Sequence, residues 1–232
     1  SKKWVEEATR RQIDADDGKG YGYGWWTAPE DTGKYFALGR GGQTIRVLPA
    51  YDAVIVVTSQ ESDWDEFIPY LQQAFVDPEK PLAANPAGVE KLDAALKAIQ
   101  QPTAPQPVPP LPEIAQTVSG QTFELETNPI NLASVSLEFD ESSEAVMQIA
   151  FDDGRPSWTV PVGLDGVYRM YPGENNLAAG GRGRWEDADT FTVQIDTIGD
   201  RENFELGIDF KGDTIDFSAR EGTHAEGFTV VG

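Results

Sequence analysis

The chain is 232 residues long, 39% hydrophobic and 10% aromatic, with 39 acidic against 18 basic side chains and a net charge of −21. That size and apolar share can build two modest cores, and no apolar run approaches the roughly 20 residues that a membrane-spanning helix requires. Cysteine is absent, which excludes disulfides and thiol catalysis.

In chain order, Asp14, Asp16 and Asp17 before Gly18 read as an acidic turn; the ligand spacing of a calcium loop is not met. Tyr21, Tyr23 and Trp25 then alternate with Gly22 and Gly24. This predicts a strand with large rings on one face and bare backbone on the other, open to close approach. Residues 35–38 (YFAL) and 44–48 (TIRVL) are two further short apolar runs. Between them stands Gly39-Arg40-Gly41-Gly42-Gln43, too rich in glycine for a strand interior, and Pro49, Tyr51 and Asp52 supply turn chemistry. Residues 53–58 (AVIVVT) read as a strand buried on both faces.

This order of elements resembles the C-terminal part of the serine hydrolases related to class C β-lactamases and penicillin-binding proteins, with their esterase and amidohydrolase relatives. Members carry a YGYGWW-like strand, a G-x-G-G-Q hairpin strand and a V-x-P-x-x-D-x-V-V-V strand, the pattern of residues 21–26, 39–43 and 47–56 here. Residues 1–9 (SKKWVEEAT) match the helix that precedes that sheet. The resemblance covers roughly residues 1–100 and implies an α+β fragment, an antiparallel sheet with helices from the C-terminal part of the β-lactamase/transpeptidase-like fold. It places Arg40, Gly41 and Gly42 where the family has Lys-Thr-Gly or His-x-Gly, on one wall of the active site. Gln43 would then donate its backbone N–H to the oxyanion hole, while the glycines let substrate lie close to the strand. Arg40 departs from the usual Lys or His; a guanidinium keeps the charge without shuttling a proton, which suits binding of a carboxylate or other anion. The plainer alternative is an arginine facing solvent beside a glycine bulge. Trp26 is a candidate to line the substrate cleft, or else an ordinary core aromatic.

The family's nucleophile lies in Ser-x-x-Lys and its second motif is Tyr-x-Asn. No serine here has a lysine three residues on, no tyrosine is followed by that pattern, and no G-x-S-x-G elbow occurs. The resemblance therefore implies a parent serine hydrolase acting on a small ester or amide through an acyl-enzyme. Its nucleophile would belong to an N-terminal part of the catalytic domain that this chain lacks. The chain alone is expected to be inactive, to need no cofactor or metal, and to self-associate through surface meant for that missing part. The family also implies an extracytoplasmic location, periplasmic or secreted, in a bacterium.

Residues 63–75 (DWDEFIPYLQQAF) predict an amphipathic helix with Asp63 as N-cap and a kink at Pro69. Residues 86–99 predict a second helix with Val89, Leu92, Leu96 and Ile99 on one stripe. Residues 101–112 (QPTAPQPVPPLP) then form a proline-rich connector, extended and stiff, read as a tether between a domain over 1–100 and another over 113–232.

From Glu113 onward the pattern is all-β. Apolar residues alternate in sets such as Ala145, Met147, Ile149, Phe151 and Phe204, Leu206, Ile208, Phe210, separated by turns such as Asp152-Asp153-Gly154 and Lys211-Gly212-Asp213. Eight to ten short strands predict an antiparallel meander closed into a barrel, with a two-sheet sandwich as the alternative. Residues 118–123 (VSGQTF), 162–169 (VGLDGVYR) and 183–187 (GRWED) resemble pieces of the lipocalin-like β-barrel appended to many of these hydrolases. Its interior is expected to be packed with side chains; holding one small ligand is the alternative. This module carries 23 acidic against 7 basic residues, a net of −16. That argues against nucleic-acid or anionic-membrane binding and favours solubility, or else a cationic partner. Gly180-Gly181-Arg182-Gly183-Arg184 lacks the strand-to-helix context of a phosphate loop, and the one histidine, His224, reads as a surface residue. Beside the hydrolase reading stands a non-enzymatic one, a ligand-binding or protein-docking module built on the barrel.

Overall fold

The computed structural model describes residues 1–28, 33–59, 62–75, 77, 80, 83–140, 143–173, 176–198, 202–222 and 227–232. His224 and the turn expected at Gly199 and Asp200 lie outside them. The chain divides into two compact units, Ser1–Leu96 and Lys97–Gly232. No helix among the described residues is long and apolar enough to cross a membrane.

Unit 1 opens with α1 (Lys2–Ala8), whose first turn is capped by the Ser1 hydroxyl accepting from the Trp4 N–H at 3.4 Å. Six strands follow in sequential antiparallel order: β1 (Ile13–Asp14), β2 (Gly20–Tyr21), β3 (Trp26–Thr27), β4 (Tyr35–Leu38), β5 (Thr44–Leu48) and β6 (Ala53–Val57). After β6 the chain makes a 3-10 turn, Trp64–Glu66, capped by the Asp63 carboxylate accepting from the Asp65 N–H at 2.8 Å. α2 (Ile68–Ala74) begins there with Pro69 in its first turn. The expected kink is therefore absent, because a proline in the first turn lacks only an N–H that would be unpaired anyway. α3 (Pro86–Ile99) is the second expected helix, and its stripe of Val89, Leu92, Leu96 and Ile99 is exposed.

The expectation for residues 53–58 is overturned in an informative way. Ala53, Ile55 and Val57 are half-buried, but Val54 and Val56 on the other face are 63% and 59% exposed. Among the described residues of unit 1, Ala8 is the one buried hydrophobic side chain. Trp4, Ile13, Ile45 and Tyr70 are all exposed with these valines.

Unit 2 contains α4 (Glu113–Val118) and one ten-stranded sheet: β7 (Thr122–Glu124), β8 (Leu132–Phe139), β9 (Glu144–Phe151), β10 (Trp158–Gly163), β11 (Arg169–Pro172), β12 (Ala178–Trp185), β13 (Thr190–Thr197), β14 (Glu202–Lys211), β15 (Thr214–Glu221) and β16 (Phe228–Val231). Period-two alternation turns one face inward. Val135 and Leu137, Met147 and Ile149, Val160 and Val162, Phe191, Val193 and Ile195, Ile208 and Phe210, and Ile215 and Phe217 are all buried. Phe191, Phe217 and Met147 are fully buried and fill the interior, as a packed module requires.

The closed barrel is corrected to an open, half-barrel roll. Strand order runs β16-β15-β14-β13-β12-β10-β9-β8-β7 and does not return to its start. The edge strands β7 and β16 are only 3 and 4 residues long. The gap between them is crossed by one backbone bond among the described residues, from the Glu126 N–H to the Val231 carbonyl at 2.9 Å. The sheet is also mixed: β11 pairs with β12 over Ala178–Gly181, and β10 then meets β12 in parallel at Gly163 and Arg182.

β12 (AAGGRGRW) carries too little hydropathy to read as a strand from sequence, and its glycines explain why it must be so. A Cβ on Gly183 would lie 2.7 Å from the Thr192 carbonyl, 2.8 Å from the Phe191 ring and 2.9 Å from a Val162 methyl. One on Gly181 would lie 2.5 Å from the Pro161 carbonyl. The parallel crossing of β10 over β12 exists because these positions have no side chain.

The proline-rich segment is partly seated on unit 2. The Gln106 N–H donates to the Asp165 carbonyl at 2.8 Å, and Val108 and Leu111 pack against the core. The Asp165 side chain meanwhile receives Arg169 through two bonds of 3.0 Å and the Val167 N–H at 3.1 Å. Arg169 also donates to Glu144 at 2.6 Å and to the Val167 carbonyl at 3.0 Å. These bonds hold the β10–β11 loop as a clamp. The Arg169 guanidinium keeps the Asp165 carboxyl below its ordinary range, against the opposing effect of burial.

Gly183→Val should cost about 1–3 kcal/mol or more, since Phe191 and Val162 are fully buried and cannot retreat; urea unfolding should show a lower midpoint at unchanged slope. Asp165→Asn should cost about 1–3 kcal/mol at neutral pH, because Arg169 loses its two charge-assisted bonds to Asp165 and is left with the Glu144 carboxylate. Asp165's folded pKa lies below its unfolded value of about 3.9. Its contribution is thus complete above about pH 4 and fades as pH falls through the folded value. Denaturation at pH 7 and pH 3 should show this acid loss in the native protein and a smaller one in the variant.

Candidate functional site

The Gly39-Arg40-Gly41-Gly42-Gln43 segment joins β4 to β5. Arg40–Gly42 forms a 3-10 turn in which Gly41 has φ 74° and Gly42 φ 78°, left-handed conformations that glycine adopts without strain. The turn is closed by the Gly39 N–H donating to the Gln43 carbonyl at 2.8 Å. The Gln43 side-chain amide folds back to the Arg40 carbonyl at 3.4 Å. No hydrogen bond engages the Gln43 backbone N–H among the described residues, and Gln43 itself is half-exposed. Arg40 is exposed at the start of the turn. The four loop residues named from sequence are consecutive in this turn.

Two hydroxyls beyond β6 hold this loop from behind. Ser59 donates to the Gly41 carbonyl at 2.7 Å, Ser62 donates to the Gly42 carbonyl at 3.2 Å, and the two hydroxyls lie 2.8 Å apart. A Cβ on Gly42 would overlap the Ser62 carbonyl and hydroxyl, so only glycine permits this approach. Below the loop, Thr44 is buried and donates to the Ala37 carbonyl at 3.0 Å.

Trp26 stands elsewhere. It pairs with Tyr21 and Phe36, and packs edge-on against the Tyr21 ring at 4.9 Å. Phe36, its partner, lies within β4, whereas Arg40 lies in the turn beyond that strand's end at Leu38, so the register does not place Trp26 opposite the loop. The row Tyr21, Trp26, Phe36 continues on the same face to Arg46. The Arg46 guanidinium lies 3.8 Å from the Trp64 ring centre and 4.9 Å from that of Phe36. Burial pushes its pKa down, with the Asp65 charge opposing, and its Nε is buried without a hydrogen bond. This stack pins the Trp64 turn to the sheet. Its sequence signal was a lone charge inside the apolar run TIRVL; Ser59 and Ser62 gave none. Among the described residues no group of three or more His, Asp or Glu side chains is placed to hold a metal ion.

No family model matches the chain, and no curated protein matches it. Solved structures that resemble it include secretory abundant heat soluble protein 4 from Ramazzottius varieornatus, 7% identical at a TM-score of 0.35, covering 42% of this chain and 66% of that one. Another is the octameric penicillin-binding protein homologue from Pyrococcus abyssi, 14% identical at a TM-score of 0.26. That match covers 100% of this chain, which spans 42% of the homologue's length. Both likenesses are too distant to carry fold or function across.

Proposed function

We propose that unit 1 is one wall of a β-lactamase-related serine hydrolase domain, acting on a small ester or amide outside the cytoplasm of a bacterium, with unit 2 as an acidic accessory module. The observation that carries this reading is the surface of unit 1. A segment of this length that buries only Ala8 among its described hydrophobic residues, while Val54 and Val56 face solvent on a regular strand, is built to be covered. The cover would be the part of the catalytic domain that supplies the nucleophile.

In this reading a serine hydroxyl from that part gives its proton to a base there, which later returns it to the leaving group; the serine oxygen bonds to the substrate carbonyl carbon, and the carbonyl oxygen takes up negative charge. The Gln43 N–H, free of internal partners among the described residues, is available to that oxyanion. Collapse of the intermediate breaks the bond to the leaving alcohol or amine, which departs with a proton, and water then hydrolyses the acyl-serine. Arg40 would attract a substrate that carries a carboxylate. The rival reading, an apolar-ligand carrier built on unit 2, meets an interior occupied by Met147, Phe191 and Phe217.

A serine-directed phosphonate applied to the natural gene product should leave a single adduct upstream of Ser1, located by intact-mass and peptide mapping; no adduct sinks the proposal. The chain alone should not turn over a chromogenic ester or a cephalosporin above buffer, and saturable turnover would contradict the account. In the natural product, Gln43→Pro removes the N–H at a residue whose φ of −62° already suits proline. It should lower kcat about 100- to 1,000-fold with little change in KM.

A further inference from the structure

We infer that Ser59 and Ser62 are positioning residues that hold the Arg40–Gln43 turn, and with it the Gln43 N–H, through a two-hydroxyl latch on the loop carbonyls. The inference extends the oxyanion reading of Gln43 given above and rests on it for its functional meaning; the latch itself rests on hydrogen-bond geometry.

Proton accounting gives the latch a direction. Each serine hydroxyl has one proton, yet three contacts must be served: Ser59 to the Gly41 carbonyl at 2.7 Å, Ser62 to the Gly42 carbonyl at 3.2 Å, and Ser59 to Ser62 at 2.8 Å. The Ser59 proton goes to Gly41, the shortest contact. The Ser62 proton is therefore shared, mainly on the Ser59 oxygen and secondarily on Gly42. The result is a relay, Ser62 to Ser59 to Gly41, in which each bond polarises the next. Ser59 is the keystone, since its removal breaks both the loop bond and the relay. Loss of Ser62 leaves the Ser59–Gly41 bond in place.

The relay matters because the turn's own bonds, from Gly39 to the Gln43 carbonyl and from the Gln43 amide to the Arg40 carbonyl, leave the carbonyls of its two left-handed glycines to be held from outside. Gly41 and Gly42 have the widest conformational freedom of any residue pair. The contact runs from the far end of β6, 18 and 20 residues along the chain. It therefore ties the turn to the rigid β5–β6 ladder, and a backbone donor held this way is pre-aimed before any ligand arrives.

Amide hydrogen exchange on the chain as it stands tests the latch. The Gly39 N–H, bonded to the Gln43 carbonyl, reports whether the turn is closed. Ser59→Ala should lower its protection about tenfold and Ser62→Ala by less, with the ladder amides of Arg46 and Ile55 unchanged. Ser59→Thr, which keeps the hydroxyl, should restore it. Unchanged Gly39 protection in Ser59→Ala overturns the inference, and so does an equal loss at Arg46 and Ile55 that Ser59→Thr does not repair. This readout needs no nucleophile. In the natural product, Ser59→Ala should also lower kcat with KM little changed. Loss of Gly39 protection without loss of kcat would retain the latch and count against the oxyanion reading alone.

Discussion

A twisted sheet that curls over its own inner face removes most of that face from water, with the short α4 adding Val118 to the core, and unit 2 depends on this curl. Fully burying a side chain such as Phe191, Phe217 or Met147 contributes about 1.5–3 kcal/mol; Phe191 and Phe217 stand on β13 and β15, and Met147 joins the same core from β9 on the other side of the sheet. The curl is possible because β12 offers bare backbone where β10 crosses it. Unit 1 has the same strand chemistry and no such closure. Its six strands are short and lie in simple sequential order, and the face that carries Ile45, Val54 and Val56 is exposed.

The legibility of this chain follows the same division. Strands with apolar side chains at every second position, such as Phe191, Val193 and Ile195, declared themselves, because hydropathy at period two is a local property. β12 did not, since Gly180, Gly181 and Gly183 carry no hydropathy and their role is set by distant neighbours, Tyr168 and Met170, Pro161 and Val160, and Phe191 and Val162 in turn. α4 was missed as well: six residues make too few turns for a periodic signal, and the burial of Ala115 and Val118 is decided by β8 and its neighbours. For residues 53–58 the composition of a two-faced strand was legible, whereas the exposure of Val54 and Val56 depends on what lies over them. At the candidate site the glycines were visible in sequence. The hydroxyls that hold them were not, because residues 18 and 20 positions apart leave no local trace of their contact.

Charge shapes the outer face of the roll. Asp209 and Asp216 stand directly opposite each other on β14 and β15, a like-charge pair that would be unfavourable alone. Lys211 answers both, lying 3.4 Å from Asp209 and bonded to Asp216, which raises the pKa of the lysine. With 23 acidic and 7 basic residues after residue 112, such neutralisation is the exception. The remaining excess keeps like surfaces apart over about a Debye length, 8–10 Å at moderate salt.

The seam between β7 and β16 gives the roll a lip. A closed hoop of strands has no preferred place to open, because every strand is held on both sides. Here Glu126–Val231 is the one backbone bond at the join among the described residues, while Ile215 and Gly232 exchange a pair of bonds at 2.7 and 2.9 Å just behind it. At the seam β7 and β16 are each held on a single side, and lifting β16 from β15 there would uncover Val230 and Phe217 before the middle of the sheet is disturbed. A few residues on β7 and β16 thus act as the clasp of an otherwise continuous wrap.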